Sequence, residues 1–143
     1  MISQKTITVP TLSMIEAMTS SWIVWRISWV MEGLRGRKFQ YSLDSVTAMR
    51  DAGVPILAGI DANNSGIVTI VAGKSLHHEL ELLVRAGLSP VEALRAATSL
   101  AAQHFNLPGR GRISPGLRAD LVLVEGNPDE GIEGLEQWRS SSR

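Results

Sequence analysis

The stretch Gly53-Val54-Pro55-Ile56-Leu57-Ala58-Gly59-Ile60-Asp61-Ala62-Asn63 decides the fold class of this chain. The apolar run from Val54 to Ala58 is typical of a strand buried on both faces of a parallel sheet. One acidic residue, Asp61, follows the glycine that ends this run. Because α/β barrels and open α/β sheets carry their chemistry at the carboxyl ends of parallel strands, Asp61 is the first candidate functional residue. By spacing alone, a cap for the loop after the strand is an equally good interpretation of Asp61.

The segments on either side of this strand alternate between strand and helix patterns. The β-branched run Ile7-Thr8-Val9 predicts a short strand, which Pro10 interrupts and which ends at Thr11-Leu12. Ser89-Pro90-Val91-Glu92 predicts a helix start, with a cap, a proline in the first turn and a glutamate at the third position. Helices are predicted from about Met14 to Gly33 or Gly36, from Ser42 or Asp44 to Gly53, from Leu76 to Gly87 and from Ser89 to His104–Asn106. Strand–helix alternation of this kind argues for a parallel sheet.

Two further segments are predicted from turn residues and apolar spacing. The stretch from Asn63 to Gly73 is predicted as a loop, with a short strand as an alternative over Ile67–Val71. After the turn-rich segment from Pro108 to Gly116, Ala119–Val124 is predicted as a strand. In the helix after Ser89, one face is lined by Val91, Leu94, Thr98, Ala101 and Phe105.

Composition excludes several classes of function. The chain has 143 residues, the size of one domain, with 14 basic and 14 acidic residues, so it has no electrostatic footprint for nucleic acid. It has no cysteine, which excludes disulfides and thiolate metal sites. Met1–Thr8 is polar and lacks the apolar core of a secretory signal, so a cytoplasmic location is expected.

The tryptophan-rich segment 20–38 is a candidate for contact with a membrane. Its apolar part is short and contains Arg26, whereas a spanning helix needs roughly 20 apolar residues, so no membrane span is predicted. Trp22, Trp25 and Trp29 share one helical face. That face is compatible with a helix packed on a sheet, with a face whose partner is missing, or with interfacial membrane binding.

Five segments together resemble one protein family. In chain order they are Val9–Leu12, Ala52–Ala62, Ser75–Pro90, Glu92–Thr98 and Gly111–Val124. They are similar to the carboxy-terminal part of metal-dependent amidohydrolases, near the imidazolonepropionase-like branch. The resemblance covers roughly Thr6 to Pro128 and is weak between Ser20 and Tyr41.

The resemblance implies an α/β fold made of the last two βα units of a metal-dependent hydrolase (β/α)₈ barrel. Short strands of a composite β-sandwich, which the family builds from both chain ends, would follow. The implied divisions are a partial barrel segment at 1–107, sandwich strands at 108–128 and a disordered tail at 129–143. Because a complete barrel takes about 250 residues, two strands cannot close one.

The resemblance also implies a chemistry. Family members hydrolyse non-peptide carbon–nitrogen bonds in small, often cyclic amides, using a divalent metal, usually zinc, that activates a bound water. Asp61 matches the acid of the last strand, which holds the metal or its water and acts as general base and then as acid. Asp61 is therefore both the expected catalytic residue and the expected metal ligand, and the implied partner is a small-molecule amide.

The sequence departs from the family pattern around the metal. The family ligands include a His-x-His pair on the first strand, whereas His77, His78 and His104, the three histidines of this chain, all follow Asp61 and form no such pair. Ile60 stands where the family usually has threonine. Since zinc sites need about three or more protein ligands, we expect this chain alone to bind no metal and to lack hydrolase activity.

Three further residues are expected near substrate. Asn63 follows the acid, where it can contact substrate or simply form a turn. His77 and His78 are adjacent, so on a helix they point about 100° apart and do not chelate one ion. They are expected to line the mouth of the pocket or to cap the helix start. His104, late in its helix, is expected to be structural.

Two hypotheses of different classes follow. In the first, the chain is a piece of an amidohydrolase that works when another chain, or a longer gene product, supplies the rest of the barrel. In the second, it is a truncated or degenerate non-catalytic remnant, or an incomplete gene model, with a structural or binding role. Exposed sheet edges and an apolar face would in either case favour self-association or a complementing chain.

Overall fold

The computed structural model describes residues 8–12, 16, 39–64, 69–70, 72–124 and 126–132. Leu12 and Glu16 are helical. The remaining elements, in chain order, are α1 Phe39–Asp51, β1 Asn63–Asn64, β2 Thr69–Ile70, α2 Lys74–Arg85, α3 Pro90–Ala97 and α4 Ser99–His104. The tryptophan-rich segment, the rest of the helix predicted from Met14 and the residues from 133 onward lie outside this description. Within the described residues, no helix is long and apolar enough to cross a membrane.

Among the described residues, the two segments predicted as strands meet at one parallel bridge, and neither forms a longer strand. The Thr8 N–H donates to the Pro55 carbonyl at 3.0 Å, and the Leu57 N–H donates to the Thr8 carbonyl at 2.8 Å. These bonds flank a parallel bridge between Thr8 and Ile56. Parallel pairing, which the strand–helix alternation predicted, is thus present at this bridge.

Helix α1 contributes buried side chains to the core. It begins at Phe39, earlier than the predicted Ser42 or Asp44, and the chain leaves it through Gly53, whose φ of 74° favours glycine. Leu43 and Val46 are its buried residues. They pack in one core with residues from the strand segment, from α2 and α3, and from both described ends of the chain. This core contains Leu12, Leu43, Val46, Ile56, Leu80, Leu82, Leu83, Ala86, Leu88, Ala93, Ala96 and Ile132.

The predicted helix from Ser89 is two helices rather than one. The helix breaks at Thr98, whose φ of −125° and ψ of −93° are not helical and whose N–H donates to the Arg95 carbonyl at 3.2 Å. The face predicted through Val91 and Phe105 is largely exposed, at 45% and 60% for these two residues. The buried side of α3 is instead formed by the small residues Ala93 and Ala96. The Ala58 N–H, in the segment after Ile56, donates to the carbonyl of Ala96 at 3.2 Å. Alanine permits this close approach of helix to strand.

The strand predicted at Ala119–Val124 does not form continuously, and only Leu123 occupies a bridge position. Leu121, Val122 and Leu123 are 66%, 74% and 74% exposed. A strand requires a neighbour that pairs with its backbone, and no described element runs alongside this one.

The first residues of the predicted tail are packed. The Glu130 N–H donates to the Asn127 carbonyl at 3.1 Å, which forms a turn. Ile132 is only 3% exposed and belongs to the core. Burial of this apolar side chain attaches the first residues of the predicted tail to the core.

Candidate functional site

Asp61 follows the strand segment that pairs with Thr8. Gly59 lies against the other strand, because a Cβ at this position would be 2.3 Å from Val9 Cγ1. Glycine therefore allows the ends of the two strands to approach each other. Asp61 comes two residues later and is exposed. Asp61 thus lies just beyond the paired segment.

The backbone of Asn63 lies in a short hairpin directly after Asp61. Asn63 pairs with Ile70 and Asn64 with Thr69, in antiparallel register. The stretch predicted as a loop thus contains β1 and β2, and β2 falls within the alternative strand at Ile67–Val71. The hairpin fixes the chain path immediately after the candidate acid.

His77 and His78 lie in the first half of α2, and both are half-buried. His78 Nε2 lies 2.5 Å from Glu16 Oε2, and its Nδ1 lies 3.2 Å from Glu81 Oε2. Burial by itself lowers the pKa of His78. The hydrogen bonds and charges of Glu16 and Glu81 outweigh burial and raise the pKa above its ordinary value. Both ring nitrogens thus serve an ion-pair network that joins α2 to Glu16.

A cation on α2 extends this network. Arg85 Nη1 lies 3.3 Å from Glu16 Oε1, and the Arg85 guanidinium lies 5.7 Å from the centroid of the Phe39 ring. The side chains of this network remain partly exposed. Such exposed pairs each contribute little to stability, and together they link Glu16 with α1 and α2.

Glu79 is a buried acid that sequence reasoning missed. Its side chain is 0% exposed, and its Oε1 accepts a hydrogen bond from the Leu12 N–H at 3.0 Å. Leu12 is the first helical residue after Thr11, so the carboxylate satisfies a backbone donor at a helix start. The sequence held a signal, because Glu79 is three residues after Leu76 and four before Leu83, on the apolar face of α2.

The described residues do not form a metal centre. Among them, no group of three or more histidine, aspartate or glutamate side chains could hold an ion. Asp61 by itself does not fit zinc, which needs about three or more protein ligands.

A small cavity lies beside the strand segment. It has a volume of about 170 Å³ and is lined by Arg50, Val54, Ile56, Leu88, Glu92, Arg95 and Leu100. Asp61 is absent from this lining, so the cavity and the candidate acid are separate features.

Comparison with known proteins shows which family the chain resembles. A model of the amidohydrolase family matches residues 42–142. Imidazolonepropionase of Paracoccus denitrificans is 36% identical over 93 residues, which is 61% of this chain and 20% of that enzyme. Adenine deaminase of Kosmotoga olearia is 38% identical over 66 residues, which is 46% of this chain and 10% of that enzyme.

Two solved structures resemble the fold over almost the whole chain. A Xaa-Pro dipeptidase with methionine bound in its active site superposes with a TM-score of 0.74 and 25% identity, covering 96% of this chain and 33% of that one. An amidohydrolase superposes with a TM-score of 0.65 and 26% identity, covering 91% and 31%. The chain thus spans about a third of these structures and a fifth or less of the two curated relatives. Since the family model matches well over half of its residues, the chain belongs to the amidohydrolase family, in its imidazolonepropionase-like branch.

Proposed function

We propose that this chain corresponds to the carboxy-terminal part of an amidohydrolase barrel and supplies the acid of the last strand, Asp61. The observation that carries the proposal is the parallel pairing of Thr8 with Ile56, with Asp61 exposed just beyond the paired segment. In α/β barrels, residues at this end of a strand carry the chemistry. The proposed activity of the assembled site is metal-dependent hydrolysis of a non-peptide carbon–nitrogen bond in a small amide.

The proposed role of Asp61 is proton transfer. An ionised carboxylate at this position accepts a proton from the attacking water and returns it to the leaving nitrogen. The remaining metal ligands, and most loops that select substrate, would come from other barrel strands. Asn63, His77 and His78 are proposed to lie near the mouth of that assembled site, with His78 held in place by Glu16 and Glu81.

The proposed division of the chain is a partial barrel segment at 1–107, sandwich strands at 108–128 and a tail at 129–143. Support for the second part is the exposed apolar run Leu121-Val122-Leu123. In the assembled protein, this run would gain the strand partners that the described elements do not provide.

The chain by itself is proposed to be inactive. Its three histidines all follow Asp61 and none forms a His-x-His pair, so one carboxylate would have to bind the metal without the usual partners. The alternative is a non-catalytic remnant with a structural or binding role. Under that alternative, no complementing chain would restore turnover.

The first experiment measures metal content and turnover of the purified chain and of Asp61→Asn, each with added Zn²⁺. We expect substoichiometric zinc and no hydrolysis of a cyclic amide. Near-stoichiometric zinc and turnover by the chain alone, both lost in Asp61→Asn, would contradict the proposed inactivity.

The second experiment supplies the missing strands. The chain is co-expressed with the part of Paracoccus denitrificans imidazolonepropionase that precedes the matched segment. The assay compares a cyclic amide with a Xaa-Pro dipeptide, since the dipeptidase likeness makes peptide hydrolysis the second candidate activity. Turnover that requires both chains and Asp61 supports the enzyme hypothesis, whereas a soluble but inactive complex supports the remnant.

A further inference from the structure

An open groove lies where the loop after α4 packs on the junction between α3 and α4. Its volume is about 650 Å³. Arg95 of α3 and the loop residues Arg110 and Arg112 line it, and no acidic side chain among the described residues does. Asp61 is absent from the lining, so the groove is independent of the function proposed above.

The loop is fixed on the helices by its backbone. Gly111 has a φ of 80°, and a Cβ there would lie 2.7 Å from the Thr98 carbonyl oxygen and 2.9 Å from Ser99 Cα. The Arg118 N–H donates to the Gly109 carbonyl at 2.9 Å, which closes the loop. Because only glycine allows this contact, the positions on either side of Gly111 are held in place. Arg110 and Arg112 are therefore presented from an ordered backbone rather than from a free loop.

The arginines of the groove have few charged partners among the residues that the structure describes. Among the described residues, no ion pair includes Arg110 or Arg112. Arg95 has Glu92 one turn earlier on α3 as a charged neighbour. Ser99 and Gln103 add polar side chains to the lining. Guanidinium groups gathered in a concave, polar surface favour an oxyanion, because their planar N–H forks match phosphate and carboxylate oxygens.

We propose that this groove binds a small molecule through its phosphate groups. Three positively charged arginines from two segments suit a compact anion that carries several negative charges. A nucleic acid would require a longer basic surface, and the chain as a whole has a formal net charge of zero.

The test is isothermal titration of the full chain with inorganic pyrophosphate at constant ionic strength. We expect saturable binding of one pyrophosphate per chain. Arg110→Gln combined with Arg112→Gln should weaken binding by at least about tenfold, as expected for loss of hydrogen bonds to a charged ligand. Arg95→Gln should weaken binding as well, which assigns the site to the groove rather than to the loop alone.

Arg118→Gln is the matched control, because Arg118 is an exposed arginine outside the lining that pairs with Asp120 at 3.1 Å. It should leave the affinity unchanged. Arg110 and Arg112 are exposed, so their variants should fold, and circular dichroism checks this. Absence of saturation, an equal loss in Arg118→Gln, or tighter binding of citrate or of an oligonucleotide than of pyrophosphate would each overturn the proposal.

Discussion

The sharpest prediction concerns the buried carboxylate of Glu79. Its side chain is 0% exposed and accepts the Leu12 N–H at 3.0 Å. Glu79→Ala removes a hydrogen bond to a charged group, worth about 1.5–3 kcal/mol, and one buried methylene, worth about 0.8 kcal/mol. We therefore expect the free energy of unfolding to fall by about 3 kcal/mol.

The assay is urea unfolding followed by circular dichroism. With a urea dependence of about 2 kcal/mol per molar, a loss of this size lowers the unfolding midpoint by about 1.5 M. Glu79→Gln keeps an oxygen that can accept the bond, so its loss should be about 1 kcal/mol. We expect the parent chain to be the most stable, Glu79→Gln to be intermediate and Glu79→Ala to be the least stable.

Glu81→Ala is the matched control, because Glu81 lies on the same helix but its side chain is 32% exposed. Its pair with His78 is near the surface and should be worth less than about 1 kcal/mol. If Glu79→Ala costs no more than Glu81→Ala, the buried bond does not join α2 to the Leu12 segment, and the reasoning fails.

Three further predictions concern the cap of α3, the α2 network and the end of the strand. Ser89→Ala should cost about 1 kcal/mol by removing the acceptor of the Glu92 N–H, measured by urea unfolding. The pKa of Glu92 is lowered, chiefly by hydrogen bonds from Ser89, so this stabilisation should hold above the ordinary value of 4.5 and disappear as the pH falls through the folded-state pKa. The pKa of His78 is raised, so its stabilisation should be complete below 6.5 and disappear as the pH rises through the folded-state pKa, and His78→Gln should flatten this dependence. Gly59→Ala should destabilise the fold by about 1–3 kcal/mol, and Val9→Ala should restore much of it in the double variant, measured by a thermal melt.

Each of these has an outcome that would contradict it. Equal unfolding midpoints for the parent chain and Ser89→Ala would mean that the cap does not stabilise α3. A pH dependence unchanged in His78→Gln would assign that titration to other groups. Additive losses in the Val9 and Gly59 double variant would show that the two positions do not touch.

Local chemistry in the sequence was enough to predict the elements whose formation depends on neighbours in the chain. The capping box at Ser89 and Glu92 forms with both bonds present, because it needs only residues three apart. The β-branched and apolar runs around Thr8 and Ile56 predicted a parallel pair, and the bridge between them is observed. Five ordered segments predicted the amidohydrolase family, which the family model confirms over residues 42–142.

Features that depend on distant partners could not be predicted in this way. The break at Thr98 coincides with the close approach of Gly111 to the Thr98 carbonyl, a contact between separate segments that periodicity does not report. In the run Leu121-Val122-Leu123 only Leu123 occupies a bridge position, because strand formation depends on backbone pairing with another segment, which local composition does not report.

By itself the sequence determined the family, the strand that ends before Asp61 and the cap of α3, because these depend on residue type and short spacing. Only the tertiary structure decided that Glu79 is buried against Leu12, 67 residues away. It also decided that the His78 ring is hydrogen-bonded to both Glu16 and Glu81. The same holds for the groove that Arg95, Arg110 and Arg112 line. The physical reason is that charge pairing and burial depend on distances between segments, and those distances exist only once the core has brought the segments together.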